Sequence, residues 1–122
     1  MSVFKQHLDL ASERFMMAER LFDEGKEHTA SHLYINAAIN YHNALCQKYL
    51  AKIPSHKSHS DTTYFQDLSG ILKGDSKKYA ECYKFLVTHK GQADYGIGIS
   101  QAIATQIRRR AQTFKEMIER LL

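Results

Sequence analysis

Three groups of residues in this 122-residue sequence carry side chains able to do chemistry. The passage KGQADYG places Lys90, Asp94 and Tyr95 within one short stretch. A lysine supplies a mobile positive donor for phosphate, a tyrosine ring stacks on a base, and an aspartate accepts from an amino group or orients the lysine. The plainer alternative is that Asp94 and Tyr95 cap and pack the turn into a following helix. A second group is His56, Lys57 and His59. Imidazole nitrogens bind zinc at neutral pH, but structural zinc needs four ligands and neither cysteine sits in a CxxC pair. No metal site or cofactor is expected, and these histidines read first as solvated loop residues. The third group is Arg108, Arg109 and Arg110. Guanidinium groups suit phosphates, yet consecutive helical residues fan by about 100° each, so the default is a solvated helix face rather than a phosphate-tracking stripe.

Cys46 follows His42 by four residues, which would let the two side chains meet on one helix face. A helix interior gives no reason for a lowered thiol pKa, so Cys46 and Cys82 are expected to be buried, reduced thiols. That state favours a cytoplasmic protein. No segment approaches the roughly 20 apolar residues needed to span a bilayer, and no membrane association is expected. The formal net charge of +4 is compatible with a polyanionic partner but also with simple solubility.

The elements that must position these residues are helical. Phe4, Leu8, Ala11, Phe15, Ala18 and Phe22 recur at steps of four and three, predicting a helix from Val3 to Glu24 that stops at Gly25. A second helix is predicted from Glu27 to about Lys52. Between Glu27 and Lys48 there is no Asp, Glu, Lys or Arg, although a chain that is 25% charged would place about five there. Such a helix has little free surface. Its polar stripe, His32, Asn36, Asn40, Asn43 and Gln47, is uncharged. A small bundle does not easily enclose one helix on every side, so His32, Asn36, Asn40 and Asn43 are assigned to a homodimer interface.

Pro54 and the polar HKSHS make residues 51–60 a connection. A third helix then carries Tyr64, Phe65, Leu68, Ile71 and Leu72, and Gly74 provides its stop. A fourth runs from about Lys77 to His89. Three glycines make Lys90 to Ile99 a loop, and Ser100 caps a final helix with Ile103, Ile107, Ala111, Phe114, Ile118 and Leu121 on one face. The fold class expected is all-α, a single domain over 1–122. Its architecture is an up-and-down four-helix bundle in which the short third and fourth helices form one broken arm.

The sequence resembles the HEPN family of nucleotide- and RNA-associated helical bundles. The likeness is carried by LASERFMMAERLFDEGKEHTASHLYINAAINYHNAL, HKSHSDTTYFQDL, KGQADYG and SQAIATQIRRRAQTFKEMIERLL. KGQADYG is similar to the family's R-x-x-A-D-Y passage, with Lys90 in the arginine place. Catalytic members of the family are metal-independent RNases marked by an Arg followed after four to six residues by a His. That signature is absent here. The resemblance implies a non-catalytic domain that binds a nucleotide or RNA, or partners a nucleotidyltransferase in a defence or toxin-antitoxin type of system. Lys90, Asp94 and Tyr95 are its expected ligand contacts, with His56, Lys57 and His59 as the second contributor. Two other readings stand beside it: an RNase with a displaced active site, using His56 or His59 with Lys57 or Lys90, and an interaction module with no ligand.

Overall fold

The computed structural model describes residues 3–51, 63–95 and 98–122, and every regular element among them is helical. The elements are α1 (Val3–Asp23), α2 (Glu27–Leu50), α3 (Thr63–Leu72), a single 3-10 turn (Lys73–Asp75), α4 (Ser76–Thr88), α5 (Lys90–Tyr95) and α6 (Gln101–Glu119). Together they form a helical bundle around one cluster of buried residues.

The first connection is dictated by Gly25, which sits at φ 82°. Its N–H donates to the Phe22 carbonyl at 3.0 Å, and the Lys26 N–H reaches back to Leu21 at 2.9 Å. This pairing satisfies carbonyls that a helix end leaves open and turns the chain straight into α2. Contacts between the two helices run in opposite senses. Lys48 lies over the Phe4 ring, Arg14 donates to Asn40 at 2.6 Å, and Phe22 meets Tyr34 edge-on. α6 runs parallel to α2, since Gln101 donates to Glu27 at one end while the Tyr49 hydroxyl donates to the Leu121 carbonyl at the other.

α2 is the central helix, packed by α1, α6, α5, α4 and α3. This accounts for its missing charges within a single chain, because a charged group there would lose its hydration without gaining a partner. Ala30, Tyr34, Ile35, Ala37, Ala38, Tyr41, Ala44 and Leu45 are buried, and the polar Asn40 and Asn43 are covered as well. Glu19 ties three helices together. It accepts from the buried Tyr34 hydroxyl, from Arg108 at 3.2 Å and from Gln112. Burial and the neighbouring carboxylate both push the Tyr34 pKa well up, so its hydroxyl stays protonated as the donor.

Two expectations are corrected. The residue that takes the left-handed conformation after α3 is Lys73, at φ 52°, rather than Gly74. The stretch from Lys90 does not begin as a loop, because residues 90–95 coil into α5. The Ala93 N–H donates to the His89 carbonyl at 3.0 Å, Ala93 is buried, and Lys90 pairs with Asp94 one turn on. One turn with a buried apolar anchor and an i,i+4 ion pair outweighs the glycine's conformational cost. Ser100 does cap α6, its side chain accepting from the Ile103 N–H at 3.2 Å.

Candidate functional site

α5 is short, and it is held against α2 by Ala93. That placement brings Asp94 to His32, a residue 62 positions away in sequence. Asp94 Oδ1 lies 2.7 Å from His32 Nδ1, and Asp94 Oδ2 lies 2.5 Å from Lys90 Nζ. One carboxylate thus joins two nitrogen bases through its two oxygens. Burial raises the Asp94 pKa, but the hydrogen bonds and charges of Lys90 and His32 outweigh it and hold the carboxyl below its ordinary range.

An ionised carboxylate only accepts, so Nδ1 of His32 carries the proton in this pair. Nε2 is left to meet other partners. Asn36 stands one turn further along α2, its amide donating to the His32 carbonyl at 2.8 Å. The side chains of Lys90, Asp94 and His32 are 26%, 31% and 43% exposed, so the cluster is supported by the fold and open to solvent. Tyr95 stands beside Asp94 in the chain with its ring almost wholly exposed, which removes the reading that it packs the turn.

The structure therefore brings together residues drawn from two separate expectations. Lys90 and Asp94 were assigned to a ligand site, His32 and Asn36 to a dimer interface, and all four lie in one cluster. Asn40 and Asn43 are set apart from it. They are 8% and 4% exposed, covered by their own chain, and Asn40 accepts from Arg14. His56, Lys57 and His59 lie outside the described residues. No group of three or more His, Cys, Asp or Glu is placed to hold a metal ion among the described residues.

No family model, curated protein or solved structure matches this chain. The chemistry available to the site is that of the residues themselves. A carboxylate that orients an imidazole, an ammonium with donors to spare and an exposed phenol ring suit a ligand that carries both phosphate and a base.

The other constellation of reactive residue types is closed to substrates. His42, Cys46, Tyr79 and Tyr83 are all essentially buried, with the Phe65 and Phe114 rings packed around them. Burial drives the His42 pKa down to about 3 and pushes the Cys46 thiol up to about 12. A neutral imidazole and a protonated thiol inside a ring cluster make a structural core, as the helical setting of Cys46 suggests. No described helix is long and apolar enough to cross a membrane.

The sequence reading missed His32 as a partner of Asp94. A signal was available for half of the cluster, since Lys90 and Asp94 are four apart, the spacing of an ion pair on one helix face. Nothing in the order of residues joins Asp94 to His32, because that contact depends on where α5 docks.

Proposed function

We propose that this chain is a non-catalytic HEPN-like domain that binds a nucleotide or RNA, or that partners a nucleotidyltransferase in a defence or toxin-antitoxin type of system. The observation that supports the reading is the Asp94 carboxylate held between His32 and Lys90, with the Tyr95 ring 83% exposed on the same short helix. Lys90 spends one of its three N–H donors on Asp94 and offers the others to a phosphate. Tyr95 offers a face for a base, a contact worth about 1–3 kcal/mol.

The test is fluorescence polarisation against a panel of nucleotides and short single-stranded RNAs. The parent binds at least one of them, and a Lys90→Ala, Tyr95→Ala protein binds it at least fivefold more weakly. A parent that binds nothing, or a variant that binds as the parent does, contradicts the reading and leaves an interaction module without ligand.

One observation favours a second reading, the RNase. His32 is held through Nδ1 by a carboxylate, which leaves Nε2 free to move a proton, and Lys90 stands on the same carboxylate. Cleavage of RNA in the presence of chelator, abolished by His32→Ala, would move the chain into the catalytic class.

A homodimer belongs to this proposal. With Asn40 and Asn43 covered, His32 and Asn36 are the members of the assigned interface left partly exposed to meet a second copy, as is Gln47 further along the stripe. Light scattering at tens of micromolar gives a dimeric mass if so, and Asn36→Lys lowers it. A monomeric mass unchanged by the substitution removes the dimer from the proposal.

A further inference from the structure

The arginine run is divided by the fold. Arg108 turns toward α1, where it pairs with Glu19 at 3.2 Å and Asp23 at 3.6 Å and stacks on the Phe22 ring. Its charge is spent inside the bundle. Arg110, about 200° further around the helix, lies over the Phe85 ring of α4. Arg109 lies between them in sequence and shares with Arg110 a groove of about 400 Å³ between α4 and α6. Lys78, Cys82, Gln106 and Thr113 complete its lining.

The groove gathers three cations, Lys78, Arg109 and Arg110, and none of them makes an ion pair with a described residue, which is true also of Lys5, Lys73, Lys77 and Lys84 singly elsewhere on the surface. Among the described residues no carboxylate lines it, although Lys78 also borders a neighbouring cleft with Glu116 and Glu119. The sequence explains why, for no Asp or Glu occurs between Asp94 and Glu116, so α6 presents only arginine, lysine and neutral side chains to α4 over most of its length. Burial raises the Cys82 thiol, Arg110 and Lys78 oppose the rise, and Glu81, the acid of α4, adds to it without lining the groove. Gln106 and Thr113 supply neutral hydrogen-bonding groups at the groove's walls, and Arg110 is held in place by its ring contact.

Unpaired cations gathered in a groove repel one another and are retained at a cost in stability unless an anion joins them. Guanidinium groups bind phosphate oxygens through paired N–H donors, while a lysine adds a mobile charge. We propose that the α4/α6 groove is a binding site for a chain of linked phosphates, taken either as the backbone of a single-stranded nucleic acid or as a free polyphosphate. The ligand class rests on the phosphate-handling reading above. The residues are separate from His32, Lys90, Asp94 and Tyr95, so the two sites stand or fall apart.

The experiment measures binding of a fluorescently labelled single-stranded RNA and, by calorimetry, of inorganic tripolyphosphate, across a salt series. The variants are Lys78→Ala with Arg109→Ala, the conservative Lys78→Arg with Arg109→Lys, and Lys90→Ala with Tyr95→Ala. Lys78 and Arg109 are exposed and make no ion pair with a described residue, so their removal is expected to leave the helical circular dichroism unchanged. The groove variant is expected to bind at least one of the two ligands roughly tenfold more weakly, with a salt slope shallower by about two, while the conservative variant keeps both. Tripolyphosphate alone binding at the groove assigns it to free phosphate chains, and RNA binding there assigns it to a nucleic-acid backbone. A groove variant that binds both ligands as the parent does, with binding lost only in the Lys90, Tyr95 variant, overturns this proposal and keeps the α5 site. Binding of neither ligand by the parent overturns both.

Discussion

Nδ1 of His42 lies 2.6 Å from the hydroxyl of Tyr79, inside a ring cluster that leaves the imidazole 1% exposed. Phe65, Tyr79 and Tyr83 all lie against the imidazole, and Cys46 Sγ approaches Nε2 at 3.6 Å. Burial holds the folded pKa at about 3, whereas the unfolded chain titrates near 6.5. Between these values the unfolded state binds a proton that the native state does not, so stability rises with pH across the window and is lost as pH falls below about 6.5. The slope from this group reaches about 1.4 kcal/mol per pH unit. Urea midpoints measured from neutral pH down to about pH 5 should fall steadily, and less steeply in His42→Gln. Midpoints that stay level over that range would show that His42 is not buried as a neutral ring.

Asp94 titrates in a different window. Its carboxyl is depressed by Lys90 and His32, so its contribution is present above the unfolded value of about 3.9 and is lost as pH falls through the lower folded value. The cluster is solvent-screened, and Asp94→Asn should cost no more than about 1 kcal/mol at neutral pH. A loss of several kcal/mol in urea unfolding would mean that the cluster is a structural pillar of the bundle rather than an open site.

Glu19 is the sharper electrostatic test of the fold. Glu19→Ala removes the acceptor of the fully buried Tyr34 hydroxyl and the partner of Arg108, for a loss of about 2 kcal/mol or more. Adding Tyr34→Phe removes the stranded hydroxyl, so the double variant should be more stable than Glu19→Ala alone. Equal or additive losses in a double-mutant cycle would contradict the coupling.

Gly25 and Gly74 were both read as helix stops, and the structure separates them. Gly25 sits at φ 82° with open space where a Cβ would lie, so Gly25→Ala isolates backbone strain and should cost about 1 kcal/mol or more. Gly74 has no left-handed requirement and the same open space, so Gly74→Ala should be neutral or slightly stabilising. Thermal unfolding of the two variants decides the contrast, and equal losses would refute it.

These differences show what one sequence reveals. The stripes of α1 and α6 were legible because their 3.6-residue period survives in any arrangement of the bundle, and Ala11, Phe15, Ala18, Ile107, Ala111, Phe114 and Ile118 are indeed buried. The missing charges of α2 foretold its burial, but not what covers it, and Asn40 and Asn43 turn out to be covered by their own chain. α5 was hidden because Gly91 masks its turn, while the anchor at Ala93 and the pairing of Asp94 with His32 are tertiary contacts. The arginine run was legible as a fan. Which arginine would be consumed by Glu19 and which would remain unpaired depended on the packing of α1 and α4.

Whether the α5 cluster receives a phosphate-bearing ligand, as proposed, is decided by amide-detected NMR during a titration with nucleotides and a short RNA. Saturable shifts centred on His32, Asn36, Lys90, Asp94 and Tyr95, diminished in Lys90→Ala, are expected. Spectra that do not change with any of these ligands, or saturable shifts that leave those five residues unmoved, would contradict the proposal.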